Sequence, residues 1–304
     1  MLKEKIVKIS RRLIRSSEYE AELDTLFYFL NSYNDITQFP KSTGPVGQLQ
    51  ECDTILLAIF HEMCKKEGLK YWLDYGTLLG CYRHKGFIPW DDDLDVGMLR
   101  EDYERAVKIF PELFKEYGID AEERKEEPSE KIGIGYKHRE TGIWLDVFPV
   151  DVFPGTDNRI DAVTKLREIV TKYKRYYIRN RSKKDRNYLI EKRNKYFSRY
   201  DIKGNKTLLC HGPEFMYPKI LIHDCEDVFP LAFARFGEYE FCVPSRITNY
   251  LEGIYGKNYM CFPRNGVLHH GVESASLYEW AEKSGTDMNV VKEDLLNVLN
   301  SIRN

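Results

Sequence analysis

Four aspartates fall within five positions, at Asp91, Asp92, Asp93 and Asp95, and the residues around them alternate as a strand does. Leu94 and Val96 share one side, Asp93 and Asp95 the other, so a period of two sets a pair of carboxylates about 6.5 Å apart on one face. Two like charges buried side by side without a counter-ion are costly. A chain that carries this segment must either leave it to water as an acidic turn or bring a cation to it. Two carboxylates at this spacing suit a hard divalent ion, or a close pair of them.

The neighbouring residues read as alternating helix and strand. Leu49, Cys52, Leu56, Ile59, Phe60 and Met63 keep a helical period that Gly68 ends, and LKYWLD begins a buried strand. GTLLGCYRHKG follows as a turn and short helix, so two strands flank a glycine-rich connection. REDYERAVKIFPELFKEYG is a helix with Tyr103, Val107 and Phe110 on one face, and KIGIGYKHRETGIWLDVFPVDVFPG is strand, turn and strand, with Asp146 expected to close the last strand. This order predicts an α/β or α+β fold. Before it lie an amphipathic run through Leu2, Ile6, Ile9 and Leu13, a helical stretch through Leu23 and Leu30, and a loop over 31–47. After it come a hairpin, a short helix with Tyr250, Leu251 and Ile254, and two amphipathic runs, around Tyr278 and Trp280 and around Val291 and Leu295.

Global charge excludes little: 46 Lys+Arg against 48 Asp+Glu give a formal net charge of −2, which does not favour a polyanion such as nucleic acid. Residues 165–199, however, hold fourteen basic and three acidic side chains with tyrosines between them. This stripe is either a solvated helical face or a contact for a polyanionic polymer or a membrane surface. The seven cysteines form no CxxC pair, so no disulfide framework is expected, and the first twenty residues lack the apolar core of a secretory signal. A reducing cytoplasm is the expected compartment, with peripheral contact at the inner membrane surface open to the basic first segment. Cys210, His211, His223 and Cys225 lack a zinc-knuckle spacing and are expected to pack or to touch a substrate.

Next to the aspartates the residue types suit phosphate chemistry. Gly76 and Thr77 let backbone N–H groups approach phosphate oxygens, Arg83, His84 and Lys85 offer charged or proton-bearing donors, and Asp146 supplies a third carboxylate from another strand. A bound cation would neutralise phosphate oxygens and activate an attacking hydroxyl. Neither the Walker loop nor the glycine-loop, HRD and DFG set of protein kinases is present.

The block YWLDYGTLLGCYRHKGFIPWDDDLDVGM, with WLDVFPV later and Val243-Pro244, Tyr250-Leu251 and Tyr255-Gly256 towards the end, resembles the LicD family, to which fukutin and fukutin-related protein also belong. The resemblance runs over about 48–263. It implies an α+β fold, a nucleotidyltransferase-like mixed sheet core with helical elaborations: an N-terminal extension (1–47), a catalytic domain (48–263) with a basic insertion around 160–205, and a C-terminal tail (264–304). It implies transfer of a phosphorylated alcohol, phosphocholine foremost, from a CDP-activated donor to a glycan or teichoic-acid-like acceptor. In that pattern Asp93, Asp95 and Asp146 hold Mg²⁺ or Mn²⁺ and do the chemistry, and Asp91 supports them. Gly76, Thr77, Arg83, His84 and Lys85 face the donor phosphates, and Trp90 or Trp144 could cage a choline cation. The rival readings are a nucleotidyltransferase acting on a sugar phosphate or an RNA end, and a non-catalytic scaffold of envelope assembly.

Overall fold

A computed structural model describes residues 19–124, 131–136, 142–212, 220–262, 279, 282–283 and 287–304. The expected amphipathic runs at 2–13 and around Tyr278 and Trp280, and the turn at 137–141, lie outside these residues. A helix over residues 19–33 (α1) and a 3-10 turn at Ile36–Gln38 lead into α2, Gly44–Glu67. Pro45 lies in the first turn of α2, where a missing N–H costs nothing, and Gly68 ends it in the left-handed conformation at φ 65°.

The fold then alternates as β1 Tyr71–Leu73, α3 Tyr75–His84, β2 Leu94–Leu99, α4 Arg100–Lys115, β3 Ile119–Arg124, β4 Lys131–Tyr136 and β5 Trp144–Gly155. Helices α5 Arg159–Asn180 and α6 Arg186–Phe197 follow, then β6 Lys206–His211, β7 Ile222–Asp224, α7 Cys225–Val228, the hairpin β8 Ala232–Phe236 and β9 Tyr239–Val243, α8 Ile247–Tyr255, and α9 Met288–Arg303. The main sheet runs β1-β2-β5-β4-β3. Among the described residues only β2 and β5 pair in parallel; the other ladders are antiparallel, so the sheet is mixed and the fold is α+β.

Strand β5 is longer than the sequence pattern suggests. Its first part lies between β2 and β4, and from Val150 onward β6 takes the side that β4 leaves. Asp146 is therefore the third residue of a twelve-residue strand, not its end as expected from local sequence. Pro149 does not break the strand: it keeps its place in the β2 register, and its carbonyl accepts the Gly212 N–H at 2.7 Å.

Alternation divides the sheet into two chemically different faces. Leu94, Val96 and Met98 register with Leu145, Val147 and Pro149 on the first. On this side α2 and α4 meet, Phe60 of α2 touching Tyr71 and Phe110 at ring separations of 4.8 and 5.9 Å. The basic helices α5 and α6 back the same side further along, where Phe153, Leu208 and Cys210 pack with Leu166 and Val170. Asp95, Gly97, Asp146 and Phe148 occupy the second face. The 165–199 stripe is thus carried on the side of the sheet away from the aspartates.

Helix α9 closes the core by burying Val291, Leu295 and Leu299 in the cluster that α2 organises, flanked by Lys292–Glu51 and Arg303–Glu62 ion pairs. Cys52, Cys64, Cys81 and Cys210 are buried thiols, and Cys225, Cys242 and Cys261 are half-buried. Among the described residues no helix is long and apolar enough to cross a membrane. Leu295 is fully buried, so Leu295→Ala should cost about 2–5 kcal/mol, read as a lower urea midpoint with an unchanged denaturant slope.

Candidate active site

The parallel register sets Asp95 directly beside Asp146 on adjacent strands. Asp93 lies in the turn before β2, half-buried, with Asp91 and Asp92 buried behind it. Ligand atoms of Asp91, Asp92 and Asp93 lie within 4.8 Å of one another, close enough to share one ion. Burial first, then the charges of Asp93 and Asp146, hold the Asp95 carboxyl well above the usual range, with Asp91 adding to this and Lys131 opposing it. Of the expected ligands, Asp93 and Asp146 both lie near enough to act on Asp95 through their charges, while the carboxylates close enough to share one ion are Asp91, Asp92 and Asp93, of which Asp92 was absent from the expected set. An all-oxygen donor set under mutual repulsion fits a hard divalent cation.

Helix α3 docks its first turn onto these acids. Gly76 and Thr77 belong to that turn and not to a loop. A Cβ on Gly76 would stand 2.6 Å from Asp91 Oδ2, so only glycine allows the carboxylate to approach the helix so closely. The Thr77 hydroxyl accepts the Asp95 N–H at 2.8 Å, and the Asp74 N–H donates to the Asp95 carbonyl at 3.0 Å, which ties the helix start to the carboxylate-bearing strand. Gln50 of α2 donates to the carbonyls of Asp91, at 2.7 Å, and Ile88, at 3.2 Å, and so holds the turn between helix and strand.

The basic residues lie at the other end of α3. Arg83 is buried, donates to the Tyr259 carbonyl at 3.1 Å and rests 6.0 Å from the Trp90 ring. Burial lowers its pKa to about 10 against the opposing pull of Asp91 and Tyr255, which places its charge beside the acidic turn. His84 meets the Ile36 carbonyl at 3.0 Å; burial and then Arg83 lower its pKa. Lys85 is exposed and donates to the Tyr82 carbonyl. Trp90 stacks on Phe262 at 6.3 Å and meets Phe39 edge-on at 5.6 Å.

Lys131, Asp53 and Asp74 were not singled out from sequence, and Trp144 was named there only as a possible cage for a choline cation. Trp144 Nε1 donates to Asp146 Oδ1 at 2.9 Å, and Lys131 Nζ pairs with Asp146 Oδ2. Asp53 of α2 accepts the Trp144 N–H at 3.0 Å and anchors the start of β5. Behind α3, Asp74 Oδ2 meets His211 Nε2 at 2.7 Å, Tyr250 donates to Asp74 Oδ1 at 3.1 Å, and Trp72 Nε1 donates to Tyr250 at 3.0 Å. Tyr75 holds φ +40°, a left-handed conformation rare for a side chain of this size, with its ring against His211 and Phe148. The cysteine and histidine quartet does not gather around a metal: His211 is committed to Asp74, and His223 stacks on Tyr250 at 4.1 Å.

Two outcomes follow from this electrostatic arrangement. The folded chain binds the Asp95 proton more tightly than the unfolded chain, so this group opposes folding above its folded pKa and ceases to do so below the unfolded value near 4. Asp95→Asn should therefore raise the Tm of the metal-free protein at neutral pH, and the gain should shrink as the pH falls through that window. His211→Leu, which strips a partner from the buried Asp74, should cost about 1–3 kcal/mol in urea unfolding.

Comparison with known proteins gives the family. The family described as LicD/FKTN/FKRP, nucleotidyltransferase domain, matches residues 68–219, half of the chain. The lipopolysaccharide cholinephosphotransferase LicD of Haemophilus influenzae is 46% identical over 69 residues, 22% of this chain and 26% of that protein. The mouse ribitol-5-phosphate transferase FKTN is 28% identical over 93 residues, 31% of this chain and 19% of its own. The human ribitol 5-phosphate transferase FKRP is 54% identical over 35 residues, 12% and 7% of the two chains. The similarity thus spans about a quarter or less of these relatives, while the family match takes in β1, α3, the acidic turn and the Asp95–Asp146 pair. The chain belongs to the LicD/FKTN/FKRP nucleotidyltransferase-domain family.

Proposed function

We propose that the protein transfers a phosphorylated alcohol, phosphocholine in the first instance, from a CDP-activated donor to a hydroxyl group of a cell-envelope glycan or teichoic-acid-like polymer. The bond from the acceptor oxygen to phosphorus forms, the bond from that phosphorus to the bridging oxygen breaks, CMP leaves, and the acceptor proton passes to a base. The observation that carries this reading is the parallel pairing of Asp95 with Asp146 beside the Asp91–Asp93 turn, all abutting the first turn of α3. The name of the Haemophilus relative favours choline over other alcohols.

Asp93, Asp95 and Asp146 would hold Mg²⁺ or Mn²⁺, with Asp91 and Asp92 beside them. When bound, such an ion neutralises the donor's phosphate oxygens and lowers the pKa of the attacking hydroxyl. The chain's own part is orientation and charge. Asp146, fixed by Trp144, is the candidate to orient or deprotonate the acceptor. The first-turn N–H groups of α3 face anionic oxygens, and Arg83 beside Asp91 offsets charge on the departing CMP. A cytoplasmic location is part of the same proposal.

The test is CMP release from CDP-choline, CDP-ribitol and CDP-glycerol with envelope glycans as acceptors. Metal-dependent release should fall on the order of 10²–10³-fold in Asp93→Ala and in Asp95→Ala, with circular dichroism unchanged. Full activity in both variants would sink the site. Pyrophosphate release from a nucleoside triphosphate, without CMP release from any CDP-alcohol, would reassign the reaction to nucleotidyl transfer.

A further inference from the structure

Lys131 opens β4, and its position explains a pattern in that strand. Gly133 lies opposite Asp146 and Gly135 opposite Trp144, while Ile132 and Ile134 face the core side. A Cβ at Gly135 would stand 2.0 Å from the Trp144 indole, so that ring lies flat over a residue that must lack a side chain. Glycines on the site face thus leave the surface over β4 to Trp144 and to Lys131, which extends across it to Asp146. Both partners are nearly enclosed, with side chains 14% and 10% exposed, and the ammonium lies 5.6 Å from the centre of the Phe148 ring.

Asp146 thereby has each oxygen engaged, Oδ1 by the Trp144 N–H and Oδ2 by the Lys131 ammonium. Trp144 is a neutral donor and can stay when a cation arrives. Lys131 is not neutral, and an ammonium and a divalent ion repel each other strongly across one carboxylate oxygen in an enclosed site. We infer that Lys131 is an exchangeable counter-ion: a divalent cation taken up by the carboxylates displaces its ammonium from Asp146, and the freed ammonium then pairs with the phosphate of the incoming donor. Lys131 is in this sense a positioning residue that couples two binding events. Linkage makes the coupling reciprocal, so cation and donor each raise the other's affinity through it. The inference rests on the metal and donor reading given above and adds a residue and a sequence of events to it.

Calorimetric titration of Mn²⁺ into the full chain, without donor, tests it. Lys131→Met and Lys131→Gln should bind Mn²⁺ roughly 5-fold or more tightly than the parent, and Lys131→Arg like the parent. CDP-choline should tighten Mn²⁺ binding by the parent and much less in the two neutral variants. On the unaltered protein, Mn²⁺ should increase acylation of Lys131 by an amine-selective reagent, read by mass spectrometry, which keeps the idea testable should the neutral variants fail to fold. Unchanged or weaker Mn²⁺ binding in the neutral variants, or Lys131 labelling that stays level or falls with Mn²⁺, overturns the proposal. If the parent binds Mn²⁺ no better than Asp93→Ala does, the metal site itself is wrong and this inference falls with it. If Asp93→Ala loses Mn²⁺ while the Lys131 effects are absent, the exchange alone is wrong.

Discussion

Two carboxylates held side by side at the centre of a sheet are the constraint around which this protein is organised. Asp95 and Asp146 meet through the parallel β2–β5 ladder, and neither can leave its neighbour without breaking the register of its strand. Left alone, the pair would destabilise the fold, and the neighbouring residues read as responses to that. Lys131 and Trp144 engage Asp146, Thr77 and Asp74 fix the backbone of Asp95, and Gly76 gives Asp91 room against the helix. The opposing face carries the stability in turn: Leu94, Val96, Leu145 and Val147 are fully buried under helices that take no part in the chemistry.

This division of labour also accounts for the buried polar groups behind α3. Asp74 accepts from its neighbour's N–H, from Tyr250 and, on its other oxygen, meets His211, so three separate segments converge on one carboxylate. The result is a rigid anchor for a helix whose first residue holds a strained backbone. A strained helix start so firmly held marks a place where geometry matters more than local comfort. Here that place is the ground on which the acidic turn rests.

Much of this was legible from the chain because its signals are local. The alternation of Leu94 and Val96 with Asp95, the helical period of α2 with Gly68 after it, and the strand–helix–strand block from Tyr71 onward depend on near neighbours, and each appears where the pattern put it, whereas Asp93, expected on the strand, falls one residue before β2 begins. What escaped notice is carried by distant partners. Lys131 opens a strand that looks ordinary until its register shows that the glycines of KIGIG share the face of Asp146. Asp74 meets His211 across 137 positions of sequence, and no periodicity reveals such a pair. GTLLGCYRHKG reads as a turn followed by a short helix, but the cap at Asp74 starts the helix before Gly76 and Thr77, so both lie in its first turn. β5 runs on past Asp146 to Gly155 because β6 pairs with it from Val150 onward, a partner that local sequence does not show.

The parallel ladder also sets an order of events. A parallel pair needs a crossover, and this one contains α4, β3 and β4, with β4 itself lining β5. A growing chain that ends near residue 100 owns the acidic turn but not Asp146, and a chain that has only just reached Asp146 still has to insert it between two existing strands. Non-local pairing of this kind is slow to form. Any ligand gripped by both Asp95 and Asp146 is accordingly blind to unfinished or misregistered chains, and its uptake reports that the central sheet has closed.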